Sequence, residues 1–232
     1  MSGAFVFPLC WRDWSDMSFT NTLENSILNH LLRNTAWTTP GANVHVGLIT
    51  VVTNGEAGTV TEPSGNGYAR VNVAGTGAWN APAGAGTDNT GTITFPAASG
   101  AGWGEILAAG IWDAASAGNL LAWGWLGTQR YAFTAAAATE ILNAPGSAFA
   151  NGDRVVVRAV DDSVLPTGLT ADTVYFVVGA SGATFQLALT SGGAAINLTA
   201  DGAGLVMRIN PRTVLAGDTF TFGAGNLDVI LD

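Results

Sequence analysis

A chain of 232 residues with 48% hydrophobic and 11% charged residues is not a disordered one, because disordered chains combine low hydrophobicity with high net charge. Seventeen acids against eight bases, all of them Arg and none clustered, give a net charge of −9 and exclude a basic patch for nucleic acid or for an anionic membrane surface. One cysteine, Cys10, excludes an intramolecular disulfide framework and a cysteine-rich zinc site.

The first 16 residues form an arm rich in aromatics: Phe5, Phe7, Trp11 and Trp14. Its short apolar run, Ala4 to Leu9, follows no positive charge and is broken by Pro8, so it does not read as a signal peptide. No stretch reaches the roughly 18 consecutive apolar residues of a membrane-spanning helix. So many aromatics in a tail point to contact with the domain or with a partner.

Residues 21–33 then predict a helix. Leu23, Ile27, Leu28, Leu31 and Leu32 recur at helical spacing on one face. Asn21 and Glu24 resemble a capping box, Arg33 suits the negative end of the helix dipole, and Thr38, Thr39 and Pro40 stop the run. One apolar stripe asks for a partner surface, most simply a sheet in the same domain.

The pattern next shifts to period two. Strands are predicted at 43–53, 68–73, 91–95 (ended by Pro96), 106–112, 120–126, 219–222 and 227–231, with Gly-rich turns between several of them. Short strands with such turns read as a β-sandwich or barrel. From about Thr134 to Asn210 the chain carries its own set of strand-like runs, at 154–160, 174–178, 184–189 and 205–209. The runs on either side, 120–128 and 213–222, read as neighbouring strands if that stretch is cut out. The organisation predicted is therefore mainly β. An aromatic arm (1–16) precedes a discontinuous β-sandwich-like domain (17–133 and 211–232) carrying one amphipathic N-terminal helix. A small β-domain (134–210) is inserted into a surface loop, where insertions cost little closure entropy.

Several segments in order carry a resemblance: SFTNTLENSILNHLLR, VHVGLITV, GNGYARV, AGIWDAASAGNLLAWG and AGDTFTFGAGNLDVILD. Over roughly 17–128 and 213–232 the chain resembles a family of tailed-phage virion proteins often labelled tail fibre proteins. The inserted stretch resembles a small β-module that recurs in phage structural proteins. The resemblance implies a place in a virion, on the head or on the tail.

Chemistry-bearing residues are sparse. His30 and His45 have no metal-ligand spacing and read as structural. Asp153, Asp161, Asp162, Asp172 and Asp201 follow no calcium-loop alternation and read as turn residues. Glu105 and Asp113 lie beside Trp103 and Trp112, so a sugar cleft with two carboxylates can be drawn, but both sit where turn and strand-end chemistry explains them. No nucleophile elbow and no phosphate loop is present, so no catalytic residue, cofactor or metal is expected.

The eight tryptophans are the most informative feature. Trp103, Trp112 and Trp123 read as core, and Trp123 and Trp125 share a face by strand alternation. Trp11, Trp14 and Trp79 fall in non-periodic segments and, with Phe5 and Phe7, are the interface candidates. Residues 74–89 read as a long flexible strap, with Trp79 as its docking point.

The function predicted is that of a non-catalytic virion subunit, first a capsid decoration or cement protein. It would assemble as a homo-trimer by analogy with virion surface proteins and bind the major capsid protein, its arm reaching over an adjacent subunit. A tail, baseplate or tail-fibre component is the alternative, and a host-glycan-binding module a further one.

Overall fold

The computed structural model describes residues 18–36, 43–160 and 162–230. The chain divides into two compact units: one runs up to Leu126 and resumes at Pro211, and the other is Gly127–Asn210. The described residues are mainly β with one helix.

In chain order the elements are β1 (Ser18–Phe19), α1 (Asn21–Arg33), β2 (His45–Ile49), β3 (Val51–Asn54), β4 (Thr59–Thr61), β5 (Val71–Asn72), β6 (Gly86–Asp88), β7 (Ile93–Ala97), β8 (Gly104–Ile106), β9 (Ala108–Trp112) and β10 (Leu120–Trp125). The second unit adds β11 (Gly127–Ala136), β12 (Ile141–Asn143), β13 (Arg154–Arg158), β14 (Tyr175–Ser181), β15 (Thr184–Ala188) and β16 (Gly202–Ile209). The first unit then closes with β17 (Arg212–Val214), β18 (Thr219–Phe222) and β19 (Asp228–Ile230).

The first unit is built on a five-stranded sheet in the order β1-β10-β9-β2-β5. Facing it are short two-stranded ladders: β8 with β17, β7 with β18 and β6 with β19. These ladders are nested, since the later a strand falls in 212–230, the earlier its partner falls in 86–106. One core joins the two layers. The sheet contributes Val46, Leu48, Ala109, Ile111 and Ala122, and the ladders contribute Ile93, Phe95, Phe220 and Phe222. Phe95 packs edge-on against Trp103, Phe220 and Phe222 at centroid distances of 5.9–6.4 Å, the geometry that aromatic quadrupoles favour.

Two boundaries differ from the sequence reading for clear reasons. Residues 43–53 are two strands, because the chain bends at Thr50 between β2 and β3. Pro96 lies inside β7 rather than ending it. The ladder with β18 shifts register opposite Pro96, between Thr219 and Thr221, and a proline is tolerated in a strand at such an irregularity, where its missing N–H is not needed.

The second unit is a closed antiparallel barrel, β11-β12-β15-β14-β13-β16. Phe133, Leu142, Phe149, Val155, Val157, Tyr175, Val177, Phe185, Leu187 and Val206 fill its interior, so it is a packed core and closure leaves no sheet edge. The unit takes in Gly127–Phe133, seven residues outside the predicted insert, because β11 pairs with β16 from Gly127 to Ala135. That pairing sets Gly127 opposite Ile209. The flanking strands β10 and β17 are accordingly not neighbours: β10 pairs with β1 and β9, and β17 with β8.

Candidate interaction surface

Helix α1 begins where the sequence places it, but its start is held differently. Thr20, not Asn21, is the N-cap, and no side chain caps the helix. The Thr20 hydroxyl instead donates to the Leu120 carbonyl at 2.6 Å, and its N–H donates to Leu121 O at 3.0 Å. The Asn21 N–H reaches Glu56 O at 3.0 Å. These bonds fasten the strand-to-helix junction to β10 and to the β3–β4 turn. At the other end Asn34 takes a left-handed conformation (φ 51°) and returns its N–H to Asn29 O, so the helix stops there. Thr38, Thr39 and Pro40 lie outside the described residues.

The apolar stripe is only partly covered. The helix lies against β1 and β10, where Leu23 and Ile27 are half-buried. Leu28, Leu31 and Leu32 are 53%, 70% and 78% exposed, and no residue of α1 is fully buried. The domain's own sheet was expected to cover this stripe and does not. The reason is geometric: β1 is a two-residue edge strand, so there is little sheet beneath the second half of the helix.

A second feature that the sequence did not reveal is a polar cluster on β2 and the loops beside it. Glu62 accepts from Arg70 Nε at 2.9 Å and from Arg70 Nη2 at 2.5 Å, the two-pronged geometry of guanidinium and carboxylate. Arg70 Nη1 donates to the Ala114 and Ala117 carbonyls at 2.7 and 2.8 Å, in the β9–β10 turn. The guanidinium lies 4.2 Å from the centre of the Trp112 ring. The Tyr68 hydroxyl donates to Glu62 at 2.7 Å and accepts from the Leu48 N–H at 2.8 Å. Gly47 makes room for all of this: a Cβ there would stand 2.7–2.9 Å from Trp112, Glu62 and the Tyr68 oxygen.

Burial raises the Tyr68 pKa well above the usual phenol value, and the hydrogen bond to Glu62 and its negative charge push the same way. The sign for stability follows. Below about pH 10 the phenol is neutral in both folded and unfolded chains, and its contribution is fully present. Above that pH the unfolded chain gains charge first and the fold loses stability. The thermal midpoint of the protein is expected to fall between pH 9 and 11, with a smaller fall in Tyr68→Phe; equal falls in both proteins would refute the assignment.

The Gly-rich stretch 74–89 is a folded hairpin, not a flexible strap. Asn80 N–H bonds Asp88 O at 2.9 Å, Ala83 and Gly86 exchange backbone bonds, and β6 pairs with β19. Trp79 is half-buried against the unit's core, and its indole N–H donates to Val73 O at 2.8 Å. Asn89 explains the order. Its amide donates to Gly91 O and Gly223 O at 2.6 and 2.8 Å, and its oxygen accepts the Asn226 and Leu227 N–H groups at 3.1 and 2.8 Å. One buried side chain thus ties this loop to the 223–227 turn.

The remaining candidates divide plainly. Trp103, Trp112, Trp123 and Trp125 are all buried, and the last two meet edge-on at 5.4 Å on one face. A buried Trp125 offers no platform to a sugar. Asp113 binds Asn119 through both carboxylate oxygens at 2.6 and 2.7 Å, closing a turn. Glu105 is exposed on β8. His30 is exposed and contacts Thr35 O at 3.1 Å; His45 is buried with Asn72 at 3.4 Å. Asp153, Asp172 and Asp201 accept bonds from nearby backbone N–H groups or Arg side chains. Among the described residues no three His, Cys, Asp or Glu side chains gather as a metal site would require. Phe5, Phe7, Trp11, Trp14 and Asp161 lie outside the described residues.

No curated protein matches the chain. A family match does emerge, and it begins at Ser18, the first residue of β1, and runs through the helix, the five-stranded sheet and the first strands of the barrel. Residues 18–155, more than half of the 232, match the family described as podophage GP4 fiber I protein gp80, and the chain belongs to that family of phage fibre proteins.

Proposed function

We propose that this protein is a non-catalytic structural subunit of a phage virion, working as a fibre component of the tail. The observation that carries the reading is the fibre-family match across the helix and the main sheet. The geometry supports a structural role. The polar side chains of the first unit are engaged in closing turns and tying loops together, as Asp113, Arg70 and Asn89 do. Among the described residues these groups are committed to turns and loops rather than gathered as the acid and base groups of an enzyme are.

Capsid decoration is the second reading. Its support is a chain with 11% charged residues, a composition suited to permanent, rather apolar contacts over a lattice. Both readings entail self-association, with a trimer proposed, and contact with another virion protein; the partner is the major capsid protein only in the second.

Copy number per particle separates them. Quantitative mass spectrometry of purified virions, scaled to the major capsid protein, should give a small number of copies if the protein is a fibre component. A ratio near one to one, or a simple fraction of it, would replace this reading with the decoration one. Absence from purified particles would remove both.

A further inference from the structure

Three Asn-Gly pairs stand at turns of the chain: Asn54–Gly55, Asn66–Gly67 and Asn151–Gly152. In such a pair the glycine nitrogen can attack the carbonyl carbon of the asparagine side chain, because glycine has no side chain to shield it. Three conditions decide whether it does. The asparagine must be open to solvent, the glycine N–H must be held by no hydrogen bond, and the side-chain amide must be free to leave.

The fold protects two of the pairs. The Gly152 N–H donates to Val177 O at 2.8 Å, and the Asn151 oxygen accepts from the Ala180 N–H at 2.8 Å. Asn66 is half-buried, and its amide donates to Gly102 O at 2.8 Å. Its backbone carbonyl accepts from the Ser99 N–H at 2.8 Å and from the Trp103 indole at 3.0 Å. Asn54 is exposed. It pairs with Thr59 at the end of the β3–β4 ladder, and Gly55 opens the loop beyond that pair. Among the described residues no partner takes the Gly55 N–H or the Asn54 side-chain amide. The side-chain bond that Asn54 does make favours attack. The Ala57 N–H donates to its Oδ1 at 3.0 Å, where it stabilises the negative charge that the oxygen takes up when the carbon is attacked. The Trp123 ring stands where a Gly55 side chain would, so the packing itself keeps glycine at position 55.

We propose that Asn54–Gly55 is a site of spontaneous deamidation. The Gly55 nitrogen, its proton given up to solvent, bonds to Asn54 Cγ. The Cγ–Nδ2 bond breaks, and ammonia leaves with a proton from water. Water then adds to either carbonyl of the resulting succinimide and opens it to aspartate or to isoaspartate. The aspartate product keeps the turn, because its carboxylate still accepts from Ala57. The isoaspartate product adds a methylene to the main chain between β3 and Gly55. Gly55 and Glu56 then shift against the buried Trp123 ring, and the bond from the Asn21 N–H to Glu56 O loosens with them. The site is a slow chemical clock on the fastening of α1, wherever the protein sits in the virion.

The full chain, kept folded in mildly alkaline water enriched in heavy oxygen and then digested with trypsin in ordinary water, provides the test. Asn54 and Asn66 share the peptide between Arg33 and Arg70, so fragment-ion sequencing separates them. The label should enter residue 54 about tenfold faster than residues 66 and 151, the rate equivalent of one ordinary hydrogen bond that must first break at those two. Equal or faster labelling at either, or none at residue 54, would overturn the proposal. In urea the three rates should converge; an order unchanged by unfolding would show that chain neighbours and not the fold set it, and would overturn the assignment. Hydrogen exchange reads the consequence. The Asn21 amide should exchange several-fold faster in aged protein than in fresh. Asn54→Gln, whose longer side chain closes a larger ring far more slowly, should show neither label nor faster exchange. Equal exchange in fresh and aged parent would overturn the link to the helix.

Discussion

Gly55→Ala is expected to destabilise the first unit by about 3 kcal/mol, at the upper end of what overpacking costs. Trp123 is fully buried on β10, and its indole lies against the Gly55 backbone. A methyl group added there would stand 2.0 Å from two indole carbons and 2.2 Å from the indole nitrogen, far inside van der Waals contact. The indole has little room to retreat, because Trp125 packs edge-on against it. Either the tryptophan leaves its rotamer or the β3–β4 turn lifts away, and the Asn21 N–H to Glu56 bond at the helix start is lost with that turn. A drop of roughly 10 °C in thermal midpoint follows for a unit of this size. Calorimetry of Gly55→Ala checks it, and a midpoint within 2 °C of the parent would show that the site relaxes freely. The companion variant Gly55→Ala/Trp123→Leu should recover part of the loss by removing the ring that clashes.

Arg70→Ala is the second large expected effect, about 3–5 kcal/mol. The Arg70 side chain is 6% exposed and that of Glu62 21%. Removing the guanidinium strips Glu62 of its countercharge and leaves the Ala114 and Ala117 carbonyls without their donor. Breaking one half of a buried pair is costlier than the pair is worth, since the survivor keeps its desolvation penalty. The double variant Arg70→Met/Glu62→Leu should therefore be closer to the parent than Arg70→Ala is. Urea unfolding of the parent, Arg70→Met, Glu62→Leu and the double variant closes the cycle. Additive losses would mean that the two side chains act independently. The slope against denaturant should stay constant, since the area exposed on unfolding hardly changes.

What the sequence disclosed was local. Helix α1 was legible because the spacing of its apolar residues is read within one stretch of chain, although its cap was placed at Asn21 instead of Thr20. Trp123 and Trp125 were legible as face-mates because alternation is also local. The barrel's own strands β13 to β16 showed themselves as β-branched and aromatic runs. Strand β11 was less visible, for its later half runs into alanines, which fit a packed barrel but carry no β signal of their own. The nested ladders could not be read, since each joins residues more than 100 positions apart and nothing in either partner names the other. The same limit hid the cluster of Glu62, Tyr68 and Arg70. Its members share no motif spacing, and their meeting depends on Gly47 and on a turn at Ala114–Ala117. The leucine stripe failed in a different way. Its period was right, but amphipathicity states only that a face is apolar, not what lies against it.

The nesting of the ladders has a consequence for synthesis on the ribosome. Strands β6, β7 and β8 are made early, yet their partners β19, β18 and β17 emerge only after the whole of Gly127–Asn210 has been translated. The barrel contains all six of its strands in one continuous stretch and can close while the surrounding unit still lacks one side of its core. For that interval Ile93, Phe95 and Ile106 wait without Phe220, Phe222 and Val214. A nascent chain halted just after Asn210 has left the ribosome should therefore hold a finished Gly127–Asn210 module and an unfinished flanking unit, the latter open to chaperones and proteases until Leu227 takes its place.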